Sequence, residues 1–168
     1  MKSFEIEQKY RCKDLSGFRK KLKTLRAHFV KKGIERNEFW DLNKSLARKK
    51  TVLRLRQHGK TAELTLKGPR LQSRYSKRLE LQTSVEYAPT RAILEALGLK
   101  LSCQYSKKRE IYQLKNVVVV LDVLPRLGTF VELEGSVRAI TLAAQQLGLK
   151  DEDREEKSYL QMLFAWRG

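Results

Sequence analysis

From residue 4 to 11 apolar and charged side chains alternate: Phe4, Ile6 and Tyr10 fall on one face of an extended chain, Glu5, Glu7, Lys9 and Arg11 on the other. The period changes at Leu15. Leu15, Phe18, Leu22, Leu25 and Phe29 recur at spacings of three and four, which predicts an amphipathic helix with Asp14 as its N-cap. A period of two then returns and predicts strands over 34–40, 51–57, 61–67, 77–84, 103–114, 117–123 and 129–135. His58-Gly59, Gly68-Pro69 and Asn116 supply turn chemistry between them. Helices are expected over 90–97, closed by Gly98, over 137–147, ended by Gly148, and over 156–166, with Tyr159, Leu163 and Trp166 on one face.

The content of the alternate positions is more informative than the alternation. One face collects Ile6, Leu53, Leu55, Leu64, Leu66, Leu79, Leu81, Leu121, Val131 and Leu133. The other collects Glu5, Glu7, Lys9, Arg54, Arg56, Glu63, Lys67, Arg78, Glu80, Asp122, Glu132 and Glu134. An antiparallel sheet with helices on its apolar face and water on its charged face would show the same alternation. Three features weigh against that reading. Like charges sit two apart on one strand face, as Glu5 with Glu7, Arg54 with Arg56, and Glu132 with Glu134, where they repel. Acids concentrate on the first and last strands and bases on the middle ones. About eight strands are also enough to close a barrel and turn the charged face inward. Buried charge without a partner is costly, so such an interior must hold water, ion pairs or a ligand. A polyphosphate with a divalent metal suits both signs: Arg and Lys bind phosphate oxygens, and paired carboxylates hold hard cations such as Mg²⁺ or Mn²⁺.

Composition narrows the classes. At 168 residues the chain suits one domain, 1–168, and 41% hydrophobic residues exclude a disordered basic tail. A formal net charge of +17 points to an anionic partner: nucleic acid, a membrane surface or a phosphorylated small molecule. No apolar run reaches the roughly 18 residues of a spanning helix, and the acid near Met1 does not resemble a signal peptide. A reducing cytoplasm is the expected setting. Cys12 and Cys103 are read as ordinary thiols, and with only His28 and His58 as further soft ligands a zinc site is not expected.

The residues then resemble a known family. Glu5-Ile6-Glu7-Gln8-Lys9 is similar to the ExExK signature of the CYTH superfamily, the triphosphate tunnel metalloenzymes. Further elements follow in order: Phe39-Trp40-Asp41, Leu53-Arg54-Leu55-Arg56, Leu64-Thr65-Leu66-Lys67-Gly68-Pro69, Arg78 with Glu80, Lys107 with Arg109, Asp122, and Leu127-Gly128-Thr129-Phe130-Val131-Glu132-Leu133-Glu134. Ser158-Tyr159 extends the likeness to about residue 160. The resemblance implies an α+β fold, a closed antiparallel barrel of about eight strands forming a charged tunnel with helices outside. It implies Mg²⁺ or Mn²⁺ coordination by Glu5, Glu7, Glu132 and Glu134, with Glu80 a further candidate. Lys9, Arg54, Arg56, Lys67, Arg78, Lys107 and Arg109 would grip the triphosphate. Glu7, Lys9 and Asp122 form the expected catalytic set, Asp122 as a metal-shell or orienting residue. One departure stands out: Gln82 occupies a position that is often Glu in the family, and Glu63 is a candidate to supply the missing charge.

Three functions compete. Hydrolysis of an inorganic, thiamine or nucleoside triphosphate leads, because water needs no base-recognition pocket. Cyclisation of ATP to cyclic AMP and pyrophosphate, as in class IV adenylyl cyclases, is second; Phe39, Trp40 and Tyr159 are loose candidates for contacting adenine. A non-catalytic binder of polyphosphate or nucleic acid is third, suggested by Arg19-Lys20-Lys21, Lys31-Lys32 and Arg48-Lys49-Lys50, runs that are more often solvated faces. The expected partner is a small triphosphate, with no specific nucleic acid and no membrane, the protein being a monomer or homodimer. His28 and His58 are assigned to a helix end and a hairpin turn, Trp40 and Trp166 to packing.

Overall fold

The computed structural model describes residues 2–71, 73 and 75–166, and side chains for 4–71, 73 and 75–165; the expected packing of Trp166 lies outside the described residues. The elements in chain order are β1 (Lys2–Cys12), α1 (Leu15–Thr24), β2 (His28–Asp41), α2 (Ser45–Arg48), β3 (Val52–His58), β4 (Thr61–Leu71), β5 (Ser76–Val85), α3 (Tyr87–Ala96), β6 (Lys100–Leu114), β7 (Val117–Leu124), β8 (Gly128–Glu134), α4 (Val137–Leu147), a 3-10 turn (Asp151–Asp153), β9 (Arg154–Glu155) and α5 (Tyr159–Trp166).

The strands are hydrogen-bonded in the order β5-β4-β3-β2-β6-β7-β8-β1-β9, and β5 also pairs with β1. That second pairing closes the eight long strands into an antiparallel barrel. Contact density divides the chain into two units, residues 1–5 with 33–107 and residues 6–32 with 108–168, so β1, β2 and β6 contribute to both.

In the first unit α3 packs on β3 and β4. Trp40, Leu55 and Leu94 are buried there, with Leu53, Leu64, Val85, Tyr87 and Leu99 against them. Each such aliphatic side chain contributes about 1.5–3 kcal/mol when fully removed from water. In the second unit α4 packs on β7 and β8, and α1 packs on α4. Ile140, Ala143, Ala144 and Leu147 are its buried stripe, at helical spacing. Leu121, Val131 and Leu133 are buried beneath, as the alternation predicts. Ser136 caps α4 at one end, and Gly148, at φ 67°, ends it in the left-handed conformation that glycine adopts without strain.

Three local expectations are corrected. The first helix stops ten residues after it starts, so Phe29 lies in β2 and His28 opens that strand rather than ending a helix. The chain turns at Arg26, whose φ is 56°, with Ala27 N–H donating to the Leu22 carbonyl and Arg26 N–H to that of Lys23. This is the usual glycine-ended helix terminus, built here on arginine, which carries no stop signal in sequence. Gly68-Pro69 is not a turn. β4 runs through it to Leu71 with a bulge between Lys67 and Arg70, which lets proline sit in a strand. The helices expected over 90–97 and 156–166 differ from expectation mainly at their starts: α3 begins three residues earlier, α5 three residues later.

Candidate functional site

Much of the charged face of the strands is buried. Lys9, Arg54, Lys67, Glu80, Lys107, Arg109, Asp122 and Glu132 are each no more than 8% exposed. Such burial is tolerated only with compensation, and ion pairs supply it in both units.

In the second unit, register places Lys9 of β1 opposite Glu132 of β8, and Arg109 of β6 opposite Asp122 of β7. Arg109 donates to both Asp122 oxygens, at 2.7 and 2.5 Å, and to Glu132 at 2.5 Å. Lys9 Nζ lies 3.4 Å from Glu132, donates to the Lys157 carbonyl at 3.2 Å and sits 4.1 Å from the Tyr159 ring centre. The Tyr159 hydroxyl donates to Asp122 at 2.9 Å. Burial, and then the Glu132 and Asp122 charges, hold that phenol well above its ordinary pKa, so it stays a donor. Two cations and two carboxylates thus balance, with Tyr159 closing the network.

In the first unit Lys67 bridges Glu5 at 2.7 Å and Glu80 at 2.9 Å, and Arg54 lies 3.8 Å from Glu80. Burial would raise the Glu80 carboxyl, but the Glu5 hydrogen bond with Lys67 and Arg54 brings it below its usual range. Glu35 is 1% exposed and holds Arg56 at 3.4 Å and Lys107 at 3.3 Å. Asn37 donates to Glu35 and accepts from Arg56. Burial and the neighbouring Arg56 push the Arg54 guanidinium down. Its Nε and that of Arg78 are buried with no hydrogen-bond partner among the described residues. An unpaired buried N–H is costly, and a phosphate oxygen is the acceptor that guanidinium geometry matches best.

The acids divide in a way that strand face alone does not reveal. Glu7 stands directly opposite Glu134 in register, and Glu5 precedes Glu7 by two residues on the same strand. Carboxylate oxygens of Glu5, Glu7 and Glu134 lie within 4.8 Å of one another. Opposed like charges destabilise a strand pair. Three converging oxygens fit Mg²⁺ or Mn²⁺, which take hard oxygen ligands, so the residues present suit the expected metal. Glu80 and Glu132 do not join this group; each is engaged by cations instead. Glu63 lies 3.9 Å from Arg56 and is also outside it. Gln82 is exposed and accepts from the Thr65 hydroxyl.

Sequence reasoning missed Glu35, Asn37, Thr65 and Tyr105. On β2 the alternation is inverted in character: Asn37 and Phe39 stand opposite Arg56 and Arg54, while Glu38 and Trp40 occupy the other face. Trp40 is buried with Leu55 and Leu94, which removes it as a contact for a base. Glu38 accepts from the Tyr87 hydroxyl at 2.5 Å and lies 3.6 Å from Arg91. The basic runs 31–32 and 48–50 are exposed, and the run 19–21 is largely so.

A model of the CYTH domain matches residues 3–159, nearly the whole chain. The chain belongs to the CYTH family. A curated relative from Methanocaldococcus jannaschii, named "Putative adenylate cyclase MJ0240", is 28% identical over 138 residues, covering 81% of this chain and 79% of its own. Among solved structures, a Pyrococcus horikoshii protein is 27% identical with a TM-score of 0.79, covering 92% of this chain and 96% of its own. A Vibrio parahaemolyticus protein superposes with a TM-score of 0.86 at 24% identity, covering 96% and 98% of the two chains, and establishes the fold alone. In this CYTH chain no described helix is long and apolar enough to cross a membrane.

Proposed function

We propose that this CYTH chain is a divalent-metal-dependent triphosphate hydrolase. The observation that carries the reading is the convergence of Glu5, Glu7 and Glu134 on the strand face that also buries Lys9. A pure anion binder gains nothing from three carboxylates set against its ligand, whereas a cation-assisted phosphoryl-transfer site requires them. A divalent cation held there would neutralise phosphate charge and orient the reacting group. The chain's own part is positioning. Arg54, Arg56, Lys67, Arg78 and Lys107, with Lys9 and Arg109, hold the phosphate oxygens, and Asp122 fixes the Arg109 guanidinium through two hydrogen bonds. Tyr159, as a neutral donor, fixes Asp122 in turn.

A second reading, cyclisation of ATP, is favoured by the name of the Methanocaldococcus jannaschii relative. Both readings use the same metal and phosphate residues and differ in the nucleophile, water or the 3′-hydroxyl. Product analysis separates them. Purified protein with Mg²⁺ or Mn²⁺ is incubated with inorganic triphosphate, thiamine triphosphate and ATP, scoring phosphate and cyclic AMP separately. Chelator-sensitive phosphate release is the expected result. Cyclic AMP with pyrophosphate would establish the second reading, and absence of any product with tight binding would overturn both.

A further inference from the structure

The first residues of β2 have a neighbouring strand on one side only. β2 lies between β3 and β6 in the sheet, and among the described residues it pairs with no other strand. β3, however, ends at His58, opposite Glu35, and the chain then turns at Gly59 into β4. Residues 28–32 run on past that point, and all five are exposed, Phe29 by 45% and Val30 by 49%. One edge of this segment therefore presents backbone N–H and C=O groups to water, an open ladder onto which another extended chain can add.

The segment is anchored and positively charged. The Phe29 ring packs edge-to-face on Tyr112 of β6, 5.4 Å between centres, and the Tyr112 hydroxyl donates to Glu110. Arg19 takes that carboxylate, donating to its two oxygens at 2.8 and 3.0 Å. Lys31 and Lys32, with exposed Arg26 at the preceding turn, leave the edge net positive. By alternation each face of the strand carries one apolar side chain and one cation, Phe29 with Lys31 and Val30 with Lys32. Lysines on an edge guard it against like chains. A second copy paired along 28–32 brings two Lys31-Lys32 pairs into one short ladder, with a net charge of +17 behind each. A nucleic acid satisfies the cations but leaves the backbone groups unpaired. An extended acidic segment satisfies the cations, the apolar side chains and the backbone together.

We propose that residues 28–32 of β2 are a docking edge for an extended acidic segment of a partner protein, which adds to the sheet as a further strand. The probe is a labelled, end-blocked peptide repeating Glu-Glu-Val-Val, the pattern that sets acid against Lys31 and Lys32 and valine against Phe29 and Val30. Its binding to the full chain is followed by fluorescence anisotropy, beside a copy N-methylated at two adjacent central residues so that neither of its edges can pair. The N-methylated copy is expected to bind about tenfold or more weakly, because ladder hydrogen bonds are lost while charge is kept. Lys31→Glu combined with Lys32→Glu is expected to weaken the unmodified peptide by about fivefold or more, and to favour the same design with lysine in place of glutamate. Amide hydrogen exchange gives a readout in the wild type alone: N–H groups of 28–32 that face away from β6 slow when the peptide binds. Equal binding of the two peptides, or unchanged exchange at 28–32, overturns the proposal in favour of diffuse electrostatic attraction. Absence of peptide binding overturns it too, in favour of nucleic acid where a labelled single-stranded RNA binds the wild type but not the charge-reversed chain, and of a second copy where sedimentation shows a dimer that the reversal disrupts.

Discussion

Replacing Asp122 with alanine removes one carboxylate from a cluster whose charges balance: Lys9 and Arg109 against Asp122 and Glu132. Asp122 is fully buried and Arg109 is 4% exposed, so water has little access to make up the loss. Glu132 is left facing two cations, and the Tyr159 hydroxyl loses its acceptor. Removing one partner of a buried pair costs about 3–5 kcal/mol. Against a total stability of about 5–15 kcal/mol this is a large fraction. Urea unfolding at neutral pH, followed by tryptophan fluorescence, measures it. Asp122→Asn keeps shape and an acceptor for Tyr159 while losing charge, and is expected to fall between wild type and alanine. Adding Arg109→Met to Asp122→Ala recovers part of the loss, because no guanidinium then remains uncompensated, so the two changes are non-additive. A loss under about 1 kcal/mol in Asp122→Ala, in the range of an ordinary surface pair, would refute the reasoning, as would simple additivity in the double variant.

Two further outcomes follow from other parts of the molecule. Lys67→Ala, which removes the side chain bridging Glu5 and Glu80, is expected to weaken triphosphate binding strongly, while Lys49→Ala in the exposed 48–50 run leaves it unchanged; equal losses in titration calorimetry would favour diffuse electrostatic binding over a built site. Burial and the hydrogen bond to Glu38 push the Tyr87 phenol up to about 12. Because its folded pKa lies above the ordinary value of about 10, the hydrogen bond stabilises the fold fully below pH 10 and is lost as pH rises toward 12. The stability lead of wild type over Tyr87→Phe therefore shrinks across that window; a constant lead up to pH 12 in denaturant titrations would contradict the assignment.

Much of the fold and site is legible in the sequence where the two faces of a strand differ sharply in character. On β1, β3 and β8 the positions Glu5, Glu7, Lys9, Arg54, Arg56, Glu132 and Glu134 are all charged, and the like-charge pairs among them weigh, with the number of strands, against a solvated face. β2 carries no such signal. Phe39 lies on the charged side and Glu38 on the opposite one, because an aromatic pair and a Tyr87–Glu38 hydrogen bond override the simple code there. Face is also less than register. Glu132 and Glu134 are equivalent by alternation, yet pairing sets the first against Lys9 and the second against Glu7, and so separates an ion pair from a carboxylate cluster. The role of Tyr159 depends on α5 bringing a residue 37 positions away to Asp122, and no local pattern carries that. Arg26 and the Gly68-Pro69 bulge escape the sequence pattern for a different reason: each is a backbone conformation adopted by residues that ordinarily signal something else.

The most direct test of the central claim is Glu7→Gln, studied by Mn²⁺ titration calorimetry together with triphosphate turnover. Glu7 faces Glu134 and neighbours Glu5, so neutralising it relieves repulsion and should leave the metal-free protein at least as stable as wild type. The account predicts a folded variant that has lost Mn²⁺ affinity and metal-dependent turnover together. A variant that retains both would contradict the carboxylate cluster as the metal site, and with it the proposed chemistry.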